Sequence, residues 1–78
     1  MNRIIKVKKF LSPILDIDEN KLNDKTNMDN TSEWDSIAYI KIILALEKKF
    51  NIRLDNRKNA KITTFSSVLK IFKENEKK

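Results

Sequence analysis

An all-α fold, a bundle of three main helices plus one short helix, is predicted from two observations. The 78-residue chain contains no glycine, and its apolar residues fall in short segments whose recurrence is helical rather than alternating. Length adds a bound. A chain this short makes one domain, read as residues 1–78, and buries only about 60–65% of the surface that its unfolded form exposes. A roomy internal active site is not expected.

Ile4, Val7, Leu11, Ile14 and Leu15 recur at helical spacing, with Arg3, Lys6, Lys9 and Asp16 between them, and mark a first helix. Pro13 lies inside that pattern, where it removes the amide bond toward Lys9 and disfavours helical angles at Ser12, so a kink or break is expected near Ser12. Residues 18–33 are nearly all polar, with Leu22 and Met28 the apolar exceptions, and read as a long loop pinned to the core at one or two points. Asp16, Asp18, Asn20 and Asp24 resemble a calcium loop only superficially, because the turn glycine and the closing bidentate Glu are missing. No metal site is expected.

The next helix, residues 36–50, starts at Trp34-Asp35-Ser36-Ile37. Asp35 is a good N-cap and Ser36 the first helical residue, its hydroxyl at the positive end of the helix, where amides and dipole favour a phosphate. The structural alternative is that Asp-Ser simply starts a helix. Tyr39, Ile42, Ile43, Leu46 and Phe50 share a sector of roughly 100° and form the core stripe. Ile37, Ile40 and Leu44 point about 140° away from it, between Ser36 on one side and Lys41 and Lys48 on the other. This second stripe either packs against the loop or the short helix, or stays exposed as a docking face for a partner.

Asn51-Ile52-Arg53-Leu54 breaks the helical period, and residues 55–61 offer one short polar helix at most. A last helix follows, capped by Thr63 or Thr64, with Phe65, Val68, Leu69 and Phe72 on its buried face. Residues 74–78 should fray.

From Asp35 to Phe72 the chain resembles an acyl carrier protein without a gap. The residues that carry the likeness are Asp35-Ser36-Ile37, a version of the family's Asp-Ser-Leu attachment motif; Ala45-Leu46-Glu47-Lys48-Lys49-Phe50-Asn51-Ile52, similar to its Ala-Leu-Glu-x-x-Phe-x-Ile helix ending; and Ile62-Thr63-Thr64-Phe65, similar to the approach to its last helix. Residues 1–34 match only in pattern, and Trp34 resembles the Trp-Asp-Ser subgroup of free-standing carriers. The resemblance implies a fold of acyl-carrier type and a 4'-phosphopantetheine arm attached covalently to Ser36 by a phosphopantetheinyl transferase. It implies that the arm holds an acyl or aminoacyl cargo as a thioester, loaded by a ligase and passed to acyl-using enzymes. It also implies that Asp35 helps hold the magnesium ion of the transfer, and that Ile37, Ile40, Lys41, Leu44 and Lys48 lie on the face shown to partners. Acidic members place Glu or Asp where this chain has Ala38, Lys41, Lys48, Lys49 and Arg53, leaving Glu47 as the acid retained on that helix.

Composition narrows the alternatives. There is no Cys and no His, so disulfides, thiolate metal sites and a neutral-pH base are unavailable and the chain is not expected to be an enzyme. No apolar run approaches the roughly 20 residues that span a bilayer, and Met1-Asn2-Arg3-Ile4-Ile5-Lys6 alternates charged with apolar residues, so a cytoplasmic monomer is expected. The net charge of +6 raises nucleic acid as a rival partner. Against it, Lys outnumbers Arg fourteen to three, the lysines are dispersed, and no aromatic residue is interleaved with a basic cluster. A small basic nucleic-acid-binding bundle, and a carrier-like fold used unmodified as an interaction module, remain the two alternatives.

Overall fold

The computed structural model describes residues 3–54 and 62–76. Among the described residues three α-helices follow one another, α1 (Arg3–Leu15), α2 (Ser36–Phe50) and α3 (Phe65–Asn75), with a 3-10 turn at Glu19–Lys21 in the long loop after α1. The short polar helix expected over residues 55–61 lies outside the described residues. Helix α1 packs against both α2 and α3, and the core forms between them from Val7, Leu11, Ile42, Leu46, Phe65 and Phe72. Leu15, Leu22, Trp34, Val68 and Ile71 complete it.

Of the kink or break expected near Ser12, the break is absent: the helix runs to Leu15 with Pro13 inside it. Pro13 sits in the last turn, where few amide bonds remain to be lost, and a Schellman ending replaces them: Asp16 is left-handed at φ 57 and Ile17 N–H donates to Ser12 O at 3.2 Å. The Ser12 hydroxyl adds a bond to Ile17 O at 2.6 Å. Ile4, one of the residues whose spacing marks the helix, is exposed, because it lies in the first turn, beyond the end of the packed stripe. Phe10 takes the corresponding contact further along, its ring edge-on to Phe72 at 5.4 Å.

The long loop is pinned where Leu22 is buried and Met28 is partly buried, as its two apolar residues require. Backbone bonds fix it more firmly than side chains alone. Met28 N–H donates to Thr63 O at 2.9 Å and Phe65 N–H to Thr26 O at 2.8 Å, an isolated antiparallel bridge at Asn27 and Thr64. The loop is thereby fastened to the start of α3. Of the two candidate caps, Thr64 is the one used: it accepts from Ser67 N–H in a reciprocal capping box.

The expected fraying from residue 74 is not seen through residue 76. Helix α3 continues to Asn75, and Glu76 is held by Arg3 Nε at 3.2 Å and Lys6 Nζ at 3.1 Å. The hydrogen bond from Lys6 holds the Glu76 carboxyl below the ordinary glutamate range, helped by the charges of Lys6 and Arg3 and opposed by partial loss of hydration.

Two outcomes follow from this packing. Leu46 is fully buried, and Leu46→Ala should lower unfolding free energy by about 2–5 kcal/mol in denaturant titration, since the site cannot collapse in so small a core. Because the folded-state pKa of Glu76 is depressed, its contribution is present at neutral pH and disappears as pH falls through that pKa, below the ordinary value of about 4.3. Melting curves from pH 7 to about pH 3 should therefore show wild type and Glu76→Gln converging at the acid end.

Candidate functional site

The site grows out of the way α2 begins. Trp34 is drawn into the core at 1% exposure, and its indole N–H has no hydrogen-bond partner among the described residues. Asp35 follows in extended conformation, its carboxylate accepting from Ala38 N–H at 2.9 Å. Tyr39 N–H completes the first turn by donating to Asp35 O at 2.9 Å. These bonds leave the Ser36 and Ile37 amides at the helix start without acceptors among the described residues. Ser36 itself is exposed, and its hydroxyl makes no hydrogen bond among the described residues. A phosphate ester on that oxygen would meet open amides and the positive end of the helix. The second carboxylate oxygen of Asp35 is also left open by the cap, which suits a magnesium ion beside such a phosphate. Among the described residues no group of three or more His, Cys, Asp or Glu side chains could hold a metal by itself.

Beyond Ser36 the helix divides cleanly. Ala38, Ile42 and Leu46 are buried and Tyr39, Ile43 and Phe50 pack at the core's margin. Ile37, Ile40 and Leu44 are 65%, 55% and 59% exposed, so packing against the loop does not account for them. Lys41 and Lys48 are exposed as well, and at about 100° per residue all five side chains occupy one sector of the helix. A shallow groove of about 250 Å³ runs beside this sector, lined by Tyr39, Ile40, Ile43, Leu44, Glu47 and Leu54.

Three of the charge positions need revision. Ala38 is a core residue and has no place on an exposed recognition face. Lys49 lies over the rings of Phe50 and Phe72, 5.7 Å from each, and so points toward α3 rather than along the outer sector. Glu47 serves the fold: its carboxylate accepts from Leu54 N–H at 2.7 Å, while its carbonyl accepts from Ile52 N–H at 3.1 Å. Asn51, left-handed at φ 55, makes the turn between them. Neither Trp34 nor Glu47 announced its role by spacing, since each depends on contacts across the chain.

Residues 6–72 match the protein family described as phosphopantetheine attachment site. The chain belongs to that family. A curated relative, the "Acyl carrier protein" of Buchnera aphidicola subsp. Baizongia pistaciae (strain Bp), is 26% identical over 69 residues, covering 88% of each chain. The resemblance to acyl carrier proteins read from the sequence is thus borne out, together with the all-α fold. Family membership makes the chain a carrier rather than an enzyme, and its prosthetic group a covalently attached 4'-phosphopantetheine. A carrier of this family works with partner enzymes. Among the described residues, no helix is long and apolar enough to cross a membrane.

Asp35→Ala should lower stability by about 0.5–2 kcal/mol through loss of the cap. Asp35→Asn, which keeps a capping oxygen, should recover most of that loss in thermal melts.

Proposed function

We propose that Ser36 carries the 4'-phosphopantetheine arm and that the protein delivers a thioester-bound acyl or aminoacyl cargo to enzymes docking on the outer face of α2. The observation that carries this reading is the exposed Ser36 hydroxyl, without a hydrogen bond among the described residues, at the start of a helix whose cap is supplied by its neighbour Asp35. In the attachment step the Ser36 oxygen attacks the phosphorus of coenzyme A nearest the pantetheine. A new O–P bond forms, the phosphoanhydride bond breaks, and adenosine 3',5'-bisphosphate leaves. The hydroxyl proton passes to a general base as the O–P bond forms, and the reading assigns that base to the transferase, since this chain has no His to serve at neutral pH. Asp35 offers its open carboxylate oxygen to the magnesium ion of that step. When bound, the arm supplies a terminal thiol on which cargo is held as a thioester.

Ile37, Ile40 and Leu44, with Lys41 and Lys48 alongside, form the surface a visiting enzyme reads. The transferase, a loading ligase and acyl-using enzymes are the partners this reading requires. It takes residues 1–78 as one carrier domain acting as a cytoplasmic monomer, since a travelling substrate must reach several enzymes in turn.

Intact mass after incubation with coenzyme A, magnesium and a phosphopantetheinyl transferase tests the reading. Wild type should gain one arm and Ser36→Ala none, while the variant loses well under about 1 kcal/mol of stability, as exposed substitutions generally do. A loss of several kcal/mol, or an arm still attached to the variant, would give the hydroxyl a structural role and move the attachment elsewhere.

A further inference from the structure

We infer that the enzymes served by this carrier present an acidic edge beside an apolar centre to α2. The inference rests on the proposed docking role of α2 and adds the sign of the partner's charge. Exposed Lys41 and Lys48 border one side of the apolar stripe of Ile37, Ile40 and Leu44, and exposed Arg53 lies just past the helix end. None of these three cations has an ion-pair partner among the described residues. By contrast, Arg3 and Lys6 are matched by Glu76, and Lys9 by Glu19 at 3.7 Å.

Neither nearby acid pairs with these cations among the described residues. The Glu47 carboxylate turns to Leu54 N–H and Asp35 sets one oxygen on Ala38 N–H. From the second turn of α2 onward, the unpaired charges beside the stripe are Lys41 and Lys48. A partner that buries Ile40 and Leu44 must bring its own edge close to Lys41 and Lys48. Acidic residues there speed encounter, whereas basic ones repel and exclude the wrong enzyme.

A nucleic acid would also be drawn to positive charge, but the three aliphatic side chains set beside these cations have no use on a phosphate backbone. No exposed aromatic ring accompanies them to stack on bases.

The test uses one phosphopantetheinyl transferase in two forms, one whose carrier-facing surface is basic and a variant with that surface reversed to acidic. Rates of arm attachment are measured for wild type, Lys41→Glu/Lys48→Glu and Leu44→Ala, at about 20 mM and about 300 mM salt. Wild type should load about tenfold faster with the acidic form at low salt, and the double variant should invert that order. Both differences should shrink at high salt.

An unchanged order for the double variant, with Leu44→Ala slowed by both enzymes, would overturn the charge assignment and leave α2 as an apolar docking face. Indifference of all three carriers would overturn the docking reading itself, and loading of none of them would overturn both. Binding of a duplex oligonucleotide at micromolar concentration, lost in the double variant, would assign the face to nucleic acid instead. Circular dichroism of each variant confirms that the helices remain.

Discussion

The angular phase at which α2 starts is the constraint on which the rest of the molecule depends. Within three consecutive residues the chain buries an indole, turns a carboxylate onto its own helix and leaves a hydroxyl in water. Once Trp34 and Asp35 have set that phase, each later residue of α2 has its direction fixed by the helical period. Ala38, Ile42 and Leu46 then face the core, and Ile37, Ile40 and Leu44 face away. A slip of one residue would turn the helix by about 100°, swinging outer aliphatics toward the core and inner ones toward solvent.

Phase also explains why attachment chemistry and structural role can separate at Ser36. Position N1 lies at the positive end of the helix, but the capping task belongs to the preceding residue. The hydroxyl contributes no bond that the fold needs, so a group can be esterified to it with little strain on the bundle. With no base or thiol of its own, the protein supplies geometry: an accessible oxygen, two open amides and a flat apolar approach.

What was legible in the sequence was local. The Asp35 cap, the exposed serine and the two stripes of α2 depend on residues within a few turns of one another, and hydrophobic spacing reports such relations directly. Of the kink or break expected at Ser12, a break is absent because proline in a last turn removes little, and a left-handed Asp16 restores the ending. The expected fraying after residue 74 failed because Glu76 meets Arg3 and Lys6 from the far end of the chain. Likewise, the bond from Leu54 N–H to the Glu47 carboxylate has no trace in the spacing of α2. Pairings separated by many residues leave no periodic trace, and the bridge between Thr26-Asn27-Met28 and Thr63-Thr64-Phe65 is another of them.

Both Schellman turns, at Asp16 and Asn51, place a side chain in a conformation usually reserved for glycine. Asp and Asn tolerate it better than most residues because their short polar side chains can bond locally. The wider consequence lies in the unfolded chain. Glycine samples the largest backbone space of any residue, and a compatible non-glycine residue in its place favours folding by about 0.4–1 kcal/mol through the narrower disordered ensemble. A chain with no glycine at all carries that restriction wherever the native φ is negative, while at Asp16 and Asn51 the left-handed backbone works against the gain. Part of what keeps so small a bundle folded is thus the reduced freedom of its denatured state.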